Sequence, residues 1–88
     1  MNVHEIITAS HDAMERGILV IWTIYDKPKD YPEGIIARRF EIGKGAVLAT
    51  TDTVTGSLEK IRASFTLAGL TRLPRQAEDD RNIVECWV

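Results

Sequence analysis

Eighty-eight residues, 44% of them apolar and 27% charged, fit one folded domain and exclude a disordered, collagen-like or coiled-coil chain. Eleven basic against thirteen acidic residues leave a formal charge of -2, so the overall field does not favour nucleic acid as a partner. No apolar run approaches the ~20 residues that span a bilayer, and the single cysteine, Cys86, fits a reducing compartment, so a cytoplasmic location with no membrane partner is expected.

Asn2 and Glu5 have capping-box spacing, and Val3, Ile6, Ile7, Ser10, Ala13 and Met14 then recur with helical period as far as Gly17. This predicts a helix over residues 3–16. Residues 1–17 thus form a segment able to cover the sheet or to meet its copy in an oligomer. Ile18 to Tyr25 is a continuous run of β-branched and aromatic residues, the pattern of a central strand with apolar matter on both faces. Pro28, Pro32 and Gly34 then impose an exposed loop over residues 26–34. A second strand over residues 35–42 places Ile36, Arg38, Phe40 and Ile42 on one face and Arg39 and Glu41 on the other.

Gly43, Lys44 and Gly45 supply a tight hairpin into a third strand, from Ala46 to about Thr51. Ser57 caps a second amphipathic helix, whose Leu58, Ile61, Phe65 and Ala68 share a side and whose end is set by Gly69. Residues 70–82, with Pro74 and the acidic run Glu78, Asp79 and Asp80, read as irregular, and residues 83–88 as a last strand. The expected architecture is one α+β domain of order αβββαβ: a two-layer fold with a four-stranded mixed sheet. Its strand order is 3-2-1-4, the last strand lying parallel to the first through a right-handed crossover. Helix two crosses one face of that sheet, and helix one covers the other or meets a partner copy.

The stretches Ile21-Trp22-Thr23-Ile24-Tyr25-Asp26-Lys27-Pro28, Tyr31-Pro32 and Ala37-Arg38-Arg39-Phe40 stand out. So do Gly69-Leu70-Thr71-Arg72-Leu73-Pro74-Arg75 and Glu78-Asp79-Asp80 ahead of Ile83 to Val88. Over residues 21–42 and 69–88 the chain resembles a group of small bacterial and phage-associated proteins to which no activity is attached. That resemblance carries no catalytic or binding residue onto this chain, and the N-terminal helix lies outside it.

Motifs for chemistry fail on spacing. His4-Glu5-Ile6-Ile7-Thr8 lacks the second histidine of a zinc-protease helix, and His4 and His11 lie about 10 Å apart along a helix, too far to share a metal. Ser10, His11 and Asp12 diverge around the helix, and Gly43-Lys44-Gly45 and Gly56-Ser57 lack the flanking residues of phosphate loops and nucleophile elbows. The acidic run lacks the alternating ligands of a calcium loop. No catalytic residue, metal or cofactor is expected.

Arg38, an arginine among Ile36, Phe40 and Ile42, must snorkel, pair with an acid such as Asp26, Glu78, Asp79 or Asp80, or face a ligand. Together with Arg39, Tyr25, Asp26, Arg72 and Arg75 it is the candidate for an anion-binding or protein-binding patch. Trp22 and Trp87 read as core or interface anchors. These features predict a non-catalytic interaction module that self-associates, as a homodimer, or engages a protein partner, and alternatively a small-ligand or anion-binding protein, an enzyme among the forms it could take.

Overall fold

The computed structural model describes residues 1–76 and 79–88. Helix α1 spans Val3–Glu15, and its capping box is complete. The Asn2 side chain accepts from the Glu5 N–H at 2.8 Å while the Glu5 carboxylate accepts from the Asn2 N–H at 3.0 Å. Gly17, at φ 71°, turns the chain so that the Ile18 N–H returns to the Ala13 carbonyl. Strand β1 (Leu19–Asp26) follows at once.

Strands β2 (Ile35–Gly43) and β3 (Ala46–Thr55) complete an antiparallel meander, as expected. Lys44 and Gly45 both have positive φ, the geometry of a two-residue turn whose twist matches that of the strands. β3 runs past Thr51 because it bulges: Thr50, Thr51 and Asp52 together stand opposite Arg39, and the Thr50 hydroxyl donates to the Arg39 carbonyl at 2.9 Å. Ser57 caps helix α2 (Leu58–Leu67) by accepting from the Lys60 N–H, and Gly69 ends the turn beyond it.

The fold class holds, with two corrections to its topology. The stretch read as irregular contains a short strand, β4 (Arg72–Pro74), so the sheet has five strands in the order β3-β2-β1-β5-β4. That extra reversal makes the last strand, β5 (Ile83–Trp87), antiparallel to β1, and the expected parallel crossover is absent. The second correction concerns α1. It lies on the same face of the sheet as α2: Ile6 shares one buried cluster with Trp22, Ile24, Ala37, Val54, Ile61, Phe65 and Trp87.

In that cluster the Phe65 ring lies 5.2 Å from Trp22 and 5.6 Å from Trp87, tilted against both. Ile6 and Ala13 are fully buried, which makes α1 part of the fold's own core, while Met14 of the predicted stripe points to solvent. β1 is central, between β2 and β5, but it has a helix layer on one side alone.

Candidate functional site

Alternation along the strands assigns every side chain of the sheet to one of two faces. Trp22 and Ile24 of β1, with Ala37 of β2 and Trp87 of β5, point to the helices. Leu19, Ile21, Thr23 and Tyr25 point the other way, beside Ile42, Phe40, Arg38 and Ile36. Val47 and Ala49 extend that face across β3, and Cys86 and Leu73 extend it across β5 and β4.

Among the described residues no helix packs on this second face. Its centre is a shallow hollow of about 300 Å³, lined chiefly by Ile21, Tyr25, Phe40, Ile42 and Ile83, with Asp79 at its margin. Leu19 (55% exposed), Val47 (64%) and Leu73 (42%) leave its rim in water. Strand spacings of about 4.8 Å and a rise of ~3.3 Å per residue give the face roughly 550 Å² in projection. Thr23 and Arg38 share that area with the apolar side chains, and an apolar patch of a few hundred Å² on a monomer is often functional.

β2 therefore turns Arg39 and Glu41 toward the helices and Phe40 and Ile42, both half-buried, away from them, while Ile36 on that same side is buried. Arg39 lies on the helix side, 8% exposed, where its guanidinium donates to Asp52 at 2.8 Å and to Glu41 at 2.7 Å. Glu41 also accepts from Arg16 at 2.8 Å, and Arg16 pairs in turn with Asp12. The hydrogen bonds from Arg16 and Arg39 hold the Glu41 carboxyl down at about 2. A second pair joins α2 to β5: Glu85, 3% exposed, accepts both guanidinium bonds of the half-exposed Arg62 and the Trp87 indole N–H.

The six candidate site residues are divided between the two faces and the loops. Arg38 and Tyr25 share the apolar face, as the alternation of β2 implies for Arg38. The acid that meets Arg38 is Asp30, at 2.6 Å, supplied by the proline-bounded loop. Burial pushes the Tyr25 hydroxyl up, against the opposing charge of Arg38. Asp26 ends β1 at the surface, where its backbone is clasped by Asn82 at 2.7 and 3.2 Å. Arg72 stands on the helix side of β4, 4.0 Å from Glu85, and Arg75 donates to the Asp79 carbonyl. Arg39 and Arg72 share a face but are separated by β1 and β5.

In the acidic run, Asp79 and Asp80 serve as turn acceptors for the Gln76 and Asn82 N–H groups, and Glu78 lies outside the described residues. Among the described residues no group of His, Cys, Asp and Glu side chains could hold a metal ion, and no helix is long and apolar enough to cross a membrane. The chain matches no family model, no curated protein and no solved structure.

The sequence reading left out Arg16, Asp52, Arg62 and Glu85, which carry the charge pairs on the helix side of the sheet. One signal for Glu85 was present, a lone acid between apolar residues in a strand ending in tryptophan. The shifts in the charge pairs hold those groups ionised, Arg16, Arg39 and Arg62 upward and Glu41 and Glu85 downward, while burial holds Tyr25 neutral. The charge pairs lie on the helix side of the sheet, and the apolar side chains of β1 and β2 lie on the other.

Proposed function

We propose that this protein is a non-catalytic protein-interaction module that self-associates and offers its uncovered sheet face to a protein partner. The observation that carries the reading is the placement of Ile21, Phe40, Ile42 and Val47 on a face with no helix layer, while buried charged residues occupy the face the helices cover. A fold that minimised its own exposure would place these in the reverse arrangement.

Solution mass as a function of concentration tests the self-association: a chain that remains at 9.9 kDa into the millimolar range removes that part of the reading. Ile42→Asp tests the face. In a face wetted by solvent the carboxylate keeps its water, so folding stability falls by about 1 kcal/mol or less. A loss of about 3 kcal/mol or more would mark Ile42 as core and the face as already covered.

A second reading rests on Arg38. Its bond to the exposed Asp30 is a surface pair, worth about 0–1 kcal/mol, which a small anion seated beside Tyr25 is able to displace.

A further inference from the structure

The two edges of the sheet differ. β4 is three residues long, begins with Arg72, ends in Pro74 and is followed by Arg75, and shortness, proline and charge are the devices that keep sheet edges from pairing. β3 is ten residues long, and from Ala46 to Thr51 it carries neither charge nor proline. Ala46, Val47, Leu48 and Ala49 are exposed. The strand's single carboxylate, Asp52, is turned inward to Arg39, and its bulge begins at Thr50, beyond the exposed run.

Hydrogen-bond parity shows which groups the edge offers. The two-residue turn makes Gly43 and Ala46 a bonded pair, and Glu41 and Leu48 are the next such pair. Val47 and Ala49 alternate with these, so their N–H and C=O groups point away from β2.

We infer that Ala46–Thr50 is the self-association site: β3 strands of two copies pair antiparallel about a two-fold axis at Leu48. Val47 of each copy exchanges both main-chain hydrogen bonds with Ala49 of the other. This rests on the self-association part of the reading above and names its surface. An identical strand is the fitting occupant because it brings no like charge to the contact, and its outward groups fall in register with themselves.

The blocked β4 edge stops growth at two copies, the closed isologous arrangement of a C2 dimer. The axis stands normal to the sheet, so both apolar faces lie on the same side.

Sedimentation equilibrium from micromolar to millimolar concentration tests the inference on the full chain, Ala49→Pro, Val47→Lys and Phe40→Glu. Proline at Ala49 removes an N–H that β2 does not use, so the fold survives it. The wild type should approach twice its 9.9 kDa, both edge variants should stay at 9.9 kDa, and Phe40→Glu should still double. If circular dichroism shows Ala49→Pro unfolded, Val47→Lys decides, together with exchange of the Val47 and Ala49 amides. Those amides should slow as wild-type concentration rises, and fast exchange at every concentration overturns the inference. A dimer that persists in both edge variants, or that only Phe40→Glu dissolves, overturns the edge site and leaves self-association standing. A wild type monomeric throughout overturns both.

Discussion

Replacing Arg62 with methionine strips the buried Glu85 carboxylate of its main partner. The Glu85 side chain is 4% exposed, with Arg62 nitrogens at 3.0 and 2.7 Å and the Trp87 indole nitrogen at 2.8 Å. Breaking a fully buried pair from one side costs about 3–5 kcal/mol. Arg62 is itself 38% exposed, so water reaches the vacated position, and the expected cost falls to about 2–3 kcal/mol. In a domain of this size that lowers the melting temperature by roughly 10–20 °C.

The pH dependence adds a sign. Burial pushes the Glu85 carboxyl up, but hydrogen bonds from Arg62 and then Trp87 outweigh it and bring the group below its ordinary value. In the wild type, Glu85 therefore contributes stability that is present above the unfolded carboxylate range and lost as pH falls through the folded pKa. Without Arg62, burial dominates and raises the folded pKa, so protonation now favours the folded chain. The gap between variant and wild type should narrow in acid. Urea unfolding of both proteins, at neutral pH and well below the carboxylate range, measures it. A neutral-pH cost under about 1 kcal/mol, or a gap that widens in acid, would refute the argument.

Ile6→Ala should cost about 2–5 kcal/mol by chemical denaturation, because Ile6 is fully buried beneath α1; a loss under about 1 kcal/mol would place the helix outside the core. Glu41, lowered from 4.5 to about 2 by Arg16 and Arg39, contributes stability above that window that is lost as pH falls through it. Glu41→Gln should flatten the acid limb of the stability curve there, and an unchanged limb would contradict the assignment. Arg38→Ala should change stability by about 1 kcal/mol or less, as for other surface pairs. If the anion-binding reading holds, phosphate, a nucleotide or a carboxylate at 100 times its dissociation constant should add about 2.7 kcal/mol in thermal shift, a gain absent from Arg38→Ala. No response to any of them would eliminate that reading.

What the residues announced was local. Asn2 with Glu5, Ser57, Gly17, Gly69 and the Lys44–Gly45 turn each fix their own few dihedrals, and the structure keeps all of them. The continuous apolar run of β1 announced a central strand with equal clarity. β4 escaped notice because Pro74 between two arginines is the composition of a loop and also that of a guarded edge, and only the partner strand tells them apart.

The side taken by α1 was hidden for a related reason. An amphipathic stripe states that something is covered and leaves open which face receives it. On β2, Arg39 and Glu41 look like a wetted face until Arg16 and Asp52, distant in the sequence, neutralise them. Long-range charge pairing of this kind leaves no periodic trace. Arg38 fell on its predicted face because strand alternation is itself local, but its partner came from a loop whose path the sequence did not define.

Both tryptophans sit on the helix-covered side, pressed against Phe65 and paired as neighbours across β1 and β5. The protein thus carries a built-in fluorescent gauge of its folding that is screened by a whole sheet from events on the opposite side. Indole emission will follow unfolding of the helix layer closely and will be nearly indifferent to docking. Tyr25, half-buried on that opposite side, is the chromophore whose signal should respond when the apolar face is occupied.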